Sequence, residues 1–329
     1  MTFITRLRDE ARDRPRRVVF PEGSDPRTVS AVRFCAREQL LSPVVLGGPE
    51  VKSALHSEGD GVDIEVVDPR NDPGAEVLAR SLYERRKGRG MTAEDALQHA
   101  QDPLLFGALL VATGQADGAV AGAANPTSAV LRAALWGIGP APGIRTVSSS
   151  FFMVVEPFRG TSDAEVLIFT DAGVVPDPDS TQLAEIAMAA CEARRSVVGD
   201  EPRVAFLSYS TLGSAVGPAT EKMIDALRIF RARAPGIPAD GELQVDAALI
   251  SEVAAVKAPG SPVAGTANIL VFPDLAAANI GYKLVERLAR ARAIGPIVQG
   301  LARPYNDLSR GATSDDIVNV ACITSLMSQ

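Results

Sequence analysis

Hydrophobic and polar positions along the chain follow a pattern whose period changes repeatedly between two and about four residues. Short β-branched runs end in Gly, Pro, Asp or Ser, and stretches with helical periodicity follow them. Strands are predicted at 17–21, 44–46, 64–67, 118–122, 146–155, 165–170, 204–208 and 269–272. Helices are predicted at 29–41, 75–86, 92–100, 127–136, 181–195, 219–234, 246–255, 276–292 and 314–327. Alternating strands and helices indicate βαβ units with largely parallel sheets, so the predicted fold class is α/β.

Two breaks rich in glycine and proline divide this pattern, at 137–143 and at 295–304. Because an α/β stretch lies between the two breaks, we expect an inserted domain. Residues 1–143 and 300–329 would form a discontinuous domain I, and residues 144–299 would form domain II. Such proteins bind ligands beyond the carboxyl ends of their strands, so a cleft between the domains is the expected place for a site.

Composition narrows the class of partner. The chain has 329 residues, 46% hydrophobic and 22% charged, which is typical of a globular protein of about two domains. Its formal charge is −7 and it has no basic tract, which argues against a nucleic-acid partner. The most apolar run, 104–113, is too short to cross a bilayer, and residues 1–17 lack a signal-peptide core. We therefore expect a cytoplasmic protein with no membrane partner.

Cysteine and histidine are too few and too scattered for several kinds of site. Cys35, Cys191 and Cys322 form no CxxC pair and lie in stretches predicted as buried helix. The two histidines, His56 and His99, lie in polar surroundings and are predicted at the surface. We therefore predict no metal site, no disulfide framework and no histidine-based catalytic triad.

Arginines near predicted helix starts are the main candidates for chemistry, since no standard phosphate-loop motif is present. Arg310 stands between Ser309 and a glycine shortly before the last predicted helix, where a fixed guanidinium could hold a phosphate or an oxyanion. Arg132 is the single charge of an apolar helix whose first turn offers the hydroxyls of Thr127 and Ser128.

Each candidate also has a purely structural interpretation. Asp316 lies three residues after Thr313, the spacing of a capping box, so it could merely stabilise the start of a helix. Arg132 could extend to water. Tyr282 and Lys283 lie on a helix that could face a cleft or only solvent. From spacing alone, the sequence favours a phosphate-bearing substrate but names no reaction.

Longer sequence segments say more about the function of the chain than single residues do. They occur in order along nearly the whole chain and include VVFPEG at 18–23, LSYST at 207–211, DGELQ at 240–244, FPDL at 272–275, NIGYK at 279–283 and NDLSRG at 306–311. Together these segments resemble the phosphate acetyltransferase (phosphotransacetylase) family. The resemblance implies a fold like that of isocitrate and isopropylmalate dehydrogenases, with two α/β domains, an interdomain cleft and a homodimer.

The resemblance also implies a reaction. Acetyl-CoA and phosphate would be converted reversibly into coenzyme A and acetyl phosphate, with the thiol and the acyl phosphate reacting directly in a ternary complex. The partners would be these small molecules, with coenzyme A as a substrate and no tightly bound cofactor. Neither a metal nor a covalent enzyme intermediate is implied.

Roles for individual residues follow from matching positions in the family. Asp316 would take the thiol proton, Arg310 would stabilise charge on the reacting carbonyl and phosphate, and Ser309 would hydrogen-bond at the same centre. Arg132 and Arg86 would bind phosphate or coenzyme A anions. The further substrate-binding candidates are Thr127, Ser128, Tyr282 and Lys283.

Departures from the family pattern leave alternatives open. Asn125, Pro126 and Thr127 stand where His-Thr-Thr is usual, and Ala312 stands where a cysteine is common. The altered segment beside Arg132 motivates a rival enzyme that prefers a longer acyl group such as butyryl. A second alternative is a non-catalytic relative that binds coenzyme A or acyl phosphate. A metal-dependent dehydrogenase of the same broad fold would need a carboxylate cluster that the sequence does not supply.

Overall fold

The computed structural model of the chain describes residues 2–56, 62–160 and 162–328. These residues separate into two compact units. Unit 1 consists of residues 3–142 and 301–328, and unit 2 consists of residues 143–300. Each unit is built around one sheet with helices packed against it, so the predicted α/β fold class is confirmed.

Eleven strands are described. In chain order they are β1 (Arg17–Phe20), β2 (Ser42–Leu46), β3 (Glu65–Val67), β4 (Gly118–Ala121), β5 (Ser148–Val155), β6 (Glu165–Thr170), β7 (Val204–Leu207), β8 (Ala239–Leu243), β9 (Ile269–Val271), β10 (Arg292–Gln299) and β11 (Tyr305–Asp307).

Thirteen α-helices are described, together with a short 3-10 helix at Lys87–Arg89. The α-helices are α1 (Phe3–Asp13), α2 (Pro26–Arg37), α3 (Pro49–His56), α4 (Ala75–Arg86), α5 (Ala93–His99), α6 (Pro103–Ala112), α7 (Thr127–Gly137), α8 (Ser180–Val197), α9 (Pro218–Arg233), α10 (Val245–Leu249), α11 (Ser251–Lys257), α12 (Leu275–Leu288) and α13 (Ser314–Met327). None of the described helices is long and apolar enough to cross a membrane.

The sheet of unit 1 is parallel throughout, in the order β11-β4-β1-β2-β3. Its strands β1 and β4 are almost fully buried, because helices cover both faces of a parallel sheet. One of these helices is α6, the apolar run noted in the sequence, and eight of its ten residues are buried. The chain adds β2 and β3 on one side of β1 and adds β4 and β11 on the other. The connections therefore reverse direction between β1 and β4.

The sheet of unit 2 is mixed, in the order β10-β5-β6-β9-β7-β8. Strand β5 runs antiparallel to both β6 and β10, while the other neighbours are parallel. The prediction of largely parallel sheets therefore holds for unit 1 but not for the β10-β5-β6 edge of unit 2. A short connection between β5 and β6 suits an antiparallel pair, because a parallel crossover needs a dozen or more residues.

Other element predictions differ from the structure in specific ways. The helix predicted over 276–292 ends at Leu288, and the chain continues as β10. The helix predicted over 246–255 is divided in two, because Ile250 adopts an extended backbone conformation between α10 and α11. Helices α1, α3 and α6 and strands β8, β10 and β11 were not predicted from the sequence.

Candidate active site

Three loops of unit 1 lie near the point where the strand order reverses, between β1 and β4. They follow β1 (residues 21–25), β4 (residues 122–126) and β11 (residues 308–313). Because β11, β4 and β1 are adjacent and parallel, their carboxyl ends lie along one edge of the sheet. Ligands of open α/β sheets bind outside the carboxyl ends of the strands at such a switch point.

Glu22, in the loop after β1, fixes the loop after β4. Its side chain is 6% exposed, and its oxygens accept hydrogen bonds from the backbone N–H groups of Gly122, Ala123, Ala124 and Asn125, at 2.8–3.0 Å. The side-chain amide of Asn125 donates a fifth bond, at 2.7 Å. A buried carboxylate is tolerated where donors satisfy it in this way, so Glu22 determines the entry into α7.

Arg27, in the first turn of α2, joins the other two loops. Its guanidinium donates to the carbonyl oxygens of Arg310 at 2.7 Å, Ala312 at 2.9 Å and Ala123 at 2.6 Å. It also pairs with Asp25, whose pKa it lowers through this hydrogen bond. Arg27 was not predicted from the sequence, because the residues before it are explained by a helix cap and its acceptors lie far away along the chain.

Arg310 and Ser309 lie on the loop that Arg27 holds. Both side chains are exposed, and in the described part of the chain the Arg310 guanidinium forms no ion pair. The Ser309 hydroxyl accepts a hydrogen bond from the backbone of Gly311 at 3.3 Å and keeps its own proton to donate. The backbone of this loop is therefore fixed while its guanidinium and hydroxyl face solvent.

Asp316 completes the capping box that its spacing predicts. Its Oδ2 accepts from the backbone N–H of Thr313 at 2.9 Å and from the Thr313 hydroxyl at 2.7 Å. The Thr313 hydroxyl in turn accepts from the backbone N–H of Asp316 at 3.2 Å. Since both side-chain bonds end on Oδ2, Oδ1 stays open to a further partner. A capping role and a role as a base are therefore compatible.

Thr127 and Ser128 begin α7, as predicted, but their hydroxyls face different surroundings. Ser128 is exposed, whereas the Thr127 hydroxyl donates to Oδ2 of Asp307 at 2.6 Å. Asp307 is the last residue of β11 and is 1% exposed. Burial raises the pKa of its carboxyl to about 6. In the sequence, nothing marked Asp307 beyond its place in a family segment.

A groove of about 530 Å³ in unit 1 is lined by Arg132, and Arg86 contacts one of its other lining residues, Trp136. The polar and aromatic residues that line it are Arg132, Asn125, Asp102, His99 and Trp136, and the apolar ones are Leu104, Leu105, Ala129 and Ala133. The Arg86 guanidinium lies over the face of the Trp136 ring, 4.5 Å from its centroid, and burial lowers the pKa of this arginine. The His99 ring packs edge-on against the same indole, at 5.3 Å. The groove therefore combines one guanidinium, that of Arg132, and one carboxylate, that of Asp102, with an apolar wall.

Tyr282 and Lys283 belong to α12 of unit 2. The Tyr282 ring stacks on Phe151, with centroids 4.0 Å apart, and burial raises the pKa of its hydroxyl. The Lys283 ammonium lies 5.8 Å from the centroid of the Tyr282 ring and is exposed. The other candidates all belong to unit 1, namely Arg86, Thr127, Ser128, Arg132, Ser309, Arg310 and Asp316.

The cysteines and His99 are placed as predicted. Cys35, Cys191 and Cys322 are buried and unpaired, and His99 is exposed. The prediction for the His56 side chain falls outside the described residues. Over residues 2–56, 62–160 and 162–328, the structure places no group of three His, Cys, Asp or Glu side chains where they could hold a metal ion.

Known proteins resemble the chain over its full length. A family model described as phosphate acetyl/butaryl transferase matches residues 2–325. A phosphate acetyltransferase of Acetivibrio thermocellus is 45% identical over 329 residues, which cover 100% of this chain and 99% of the relative. The solved structure of a phosphotransacetylase from Streptococcus pyogenes is 40% identical and superposes with a TM-score of 0.92, over 99% of this chain and 98% of that one.

A more distant likeness concerns the fold alone. The structure of a putative 4-hydroxythreonine-4-phosphate dehydrogenase from Salmonella typhimurium superposes with a TM-score of 0.51 at 15% identity, over 95% of this chain and 99% of that one. This result agrees with the predicted likeness to dehydrogenase folds. The match over residues 2–325, the high identity of full-length relatives and the shared fold lead to one conclusion: the chain belongs to the phosphate acetyl/butaryl transferase family.

Proposed function

We propose that this chain catalyses the reversible transfer of an acetyl group between coenzyme A and inorganic phosphate. Relatives named phosphate acetyltransferase, 41–45% identical, support the reaction. The observation that carries it in this chain is the loop after β11. There Arg27 holds the backbone around an exposed Arg310, and the same loop leads into Asp316, whose Oδ1 is open.

The chemistry follows from these groups. In the direction of acetyl-CoA synthesis, the thiol sulfur attacks the carbonyl carbon of acetyl phosphate. The sulfur–carbon bond forms, the bond from carbon to the bridging oxygen breaks, and phosphate leaves with that electron pair. A free thiol with a pKa of about 8.5 is mostly protonated at neutral pH, so Oδ1 of Asp316 would accept its proton. Arg310 and the Ser309 hydroxyl would stabilise negative charge on the carbonyl oxygen and the phosphate.

Binding of the substrates requires local cations, because the substrates are anions and the chain carries a net charge of −7. We assign Arg132 and Arg86, beside the groove, to phosphate or coenzyme A anions. The further binding residues in the proposal are Thr127, Ser128, Tyr282 and Lys283. Coenzyme A acts as a substrate, and no tightly bound cofactor takes part.

We also propose a domain organisation, a cellular location and an oligomeric state for the chain. The two compact units would be the discontinuous domain I and the inserted domain II, which the chain crossings near residues 142 and 300 support. The enzyme would act on small molecules in the cytoplasm as a homodimer.

The decisive experiment measures phosphate-dependent release of free thiol from acetyl-CoA by wild type and by Asp316→Asn. Asparagine keeps an oxygen that can cap α13 but is not a base, so kcat should fall by about 10²–10⁴-fold with little change in stability. The matched variant, Thr313→Ala, removes the capping hydroxyl instead. It should lose about 1 kcal/mol of stability and keep kcat within a few-fold.

Three results would contradict the proposal. A normal rate for Asp316→Asn would leave Asp316 with the capping role alone. An unchanged rate for Arg310→Ala would remove its proposed role. Absence of turnover by wild type would favour the non-catalytic relative.

A longer acyl group is the second candidate. Asn125 lines the groove beside Arg132, and its amide is turned towards Glu22, at a position where the family usually has histidine. Comparing acetyl-CoA with butyryl-CoA in the same thiol-release assay separates the two substrates. A large butyryl preference would overturn the acetyl proposal while keeping the chemistry.

A further inference from the structure

The carboxylate of Asp307 has no place in the chemistry described so far, although it is buried beside the proposed site. Its Oδ2 accepts the Thr127 hydroxyl proton at 2.6 Å. Its Oδ1 is also buried but has no hydrogen-bond partner among the described residues. An unsatisfied buried polar atom costs about 1–3 kcal/mol, and more where it is charged, so a purely structural link could dispense with this oxygen.

Little positive charge is available to stabilise an ionised Asp307. Within residues 2–56, 62–160 and 162–328, no arginine, lysine or histidine forms an ion pair with it. The ionisable groups that face it are Glu22 after β1 and Tyr305 on its own strand. The other groups described beside it are Gly122 in the loop after β4, Thr127 of α7 and the backbone of Leu308, and all three are uncharged.

Burial raises the pKa of Asp307 to about 6 against the opposing effect of hydrogen bonding by Thr127 and by the backbone of Leu308, and the nearby Glu22 carboxylate adds to the rise. The carboxyl group can therefore take up a proton under mild conditions if a second anion arrives nearby. Such an anion would have to bind at the start of α7, where Thr127 and Ser128 lie.

The hydroxyl group of Thr127 has only one proton, so the direction in which it donates depends on whether Asp307 is protonated. While Asp307 is ionised, Thr127 donates its proton inward, and its oxygen can present only lone pairs to a ligand. Lone pairs repel an anion. Once Asp307 carries a proton, its own O–H can donate to Thr127 Oγ1. The Thr127 proton is then free to turn towards the ligand.

We propose that Asp307 is a positioning residue, which sets the direction of the Thr127 hydroxyl so that a tetrahedral oxyanion binds at the start of α7 together with one proton. The proton comes from solvent and is held between Asp307 Oδ2 and Thr127 Oγ1, and no covalent bond changes. The proposal rests on the proposed function, because it concerns the phosphate group of that reaction.

Sulfate is the probe, because it is a tetrahedral dianion that does not titrate near neutral pH, whereas phosphate does. Sulfate binding is measured by calorimetry at constant ionic strength, in phosphate-free buffers with different ionisation enthalpies. At pH 7 the wild type should take up about half a proton or more for each sulfate bound. Its affinity for sulfate should weaken by up to about tenfold per pH unit above the pKa of Asp307.

Asp307→Asn should bind sulfate with proton uptake near zero and an affinity that no longer depends on pH. An amide is always a donor, so it keeps the Thr127 proton available to the ligand. Thr127→Val tests the same link without changing Asp307 and should also abolish proton uptake. The matched Thr127→Ser retains a hydroxyl and should retain the uptake.

His99 lines the neighbouring groove, so the experiment must separate its contribution from that of Asp307. The comparison is therefore repeated with His99→Gln, which should keep the proton uptake of wild type. Loss of uptake in His99→Gln, full uptake in both Asp307→Asn and Thr127→Val, or no sulfate binding by wild type would each overturn the proposal. The measurement needs no turnover. A wild type that binds sulfate with a proton but releases no thiol from acetyl-CoA would therefore refute the proposed reaction and not this inference.

Discussion

Two acidic residues of the site, both buried, differ in the number of hydrogen bonds that their carboxyl groups receive. Glu22 receives five hydrogen bonds, four from backbone N–H groups and one from an amide. Asp307 receives a side-chain bond from Thr127, and one of its oxygens has no partner in the described part of the chain. Ionisation of Asp307 therefore destabilises the folded state.

Asp307→Asn should consequently stabilise the protein in a pH-dependent way. The folded-state pKa of about 6 lies above the unfolded value near 3.9, so the energetic cost of ionisation is small in acid and grows until the pH passes 6. The variant's advantage in the free energy of unfolding should be about 2 kcal/mol larger at pH 7 than at pH 4.5. Urea unfolding at the two pH values measures it. A difference that does not change with pH would contradict the assignment.

Gly122 leaves the space beside Asp307 and Leu308 that the conformation of the site requires. Its φ is +108°, and a Cβ there would lie 2.3 Å from Oδ1 of Asp307 and 2.7 Å from the backbone nitrogen of Leu308. We expect Gly122→Ala to destabilise the protein by about 3 kcal/mol or more, through backbone strain and overlap together.

Gly114→Ala is the matched control for that change. Gly114 also has a positive φ, +76°, but a methyl group there would meet no described atom within 4 Å outside its chain neighbours. Thermal unfolding of both variants separates backbone strain from overlap. Equal losses would show that the space beside Asp307 is not limiting.

At the scale of elements, the sequence predicted correctly those helices and strands that interactions between residues close in sequence stabilise. The bounds of α4, α13 and β6 agree with the sequence prediction, and α13 begins with a capping box. Strand β11 was missed because its residues, Tyr305, Asn306 and Asp307, do not form the apolar run that marked the equally short β9. Such a strand forms because β4 offers it a partner.

The difference between local and long-range interactions also explains which residues of the site could be predicted from the sequence. The helix start and the family segment pointed to Arg310 and Asp316. Glu22, Arg27 and Asp307 act on partners that are distant in sequence, which only the strand order β11-β4-β1 brings together.

Arg27→Lys tests whether one guanidinium holds two loops. A lysine cannot reach three carbonyl oxygens and Asp25 with the geometry of a guanidinium, so the Arg310 loop should lose its fixed position. We expect kcat for thiol release to fall by about 10–100-fold while the protein remains folded.

The matched control for Arg27→Lys is Arg159→Lys in unit 2. Arg159 also pairs with a carboxylate, Glu165, and donates to a backbone carbonyl, that of Ala267, but has no proposed part in the reaction. Its kcat should stay within a few-fold of wild type. If both lysine variants lose activity equally, the effect of Arg27 is a general loss of stability.

At the scale of the molecule, all three thiols lie inside helices of the two units. Burial raises the pKa of Cys191 and Cys322 to about 12 and that of Cys35 well above its usual value. The thiolate, which is the reactive form, is therefore scarce in the folded protein.

Native protein should accordingly react with fewer than about one equivalent of an aromatic disulfide reagent in the minutes that an assay takes. In denaturant, all three thiols should react. Absorbance of the released aromatic thiol counts them, and free coenzyme A serves as the fast-reacting standard. A thiol that reacts at the same rate before and after unfolding would contradict its burial.

Unit 1 is assembled from both ends of its sequence, and this fixes the order in which a growing chain acquires its parts. A ribosome delivers β1, β4 and Arg27 early, then the whole of unit 2, and only afterwards β11 with Ser309, Arg310 and Asp316. Until that last segment arrives, β4 lacks one neighbouring strand and Arg27 lacks two of its carbonyl acceptors. A nascent chain that stalls before residue 301 therefore contains β1, β4 and Arg27 but none of the three residues proposed for catalysis, so the proposed reaction requires translation beyond residue 316.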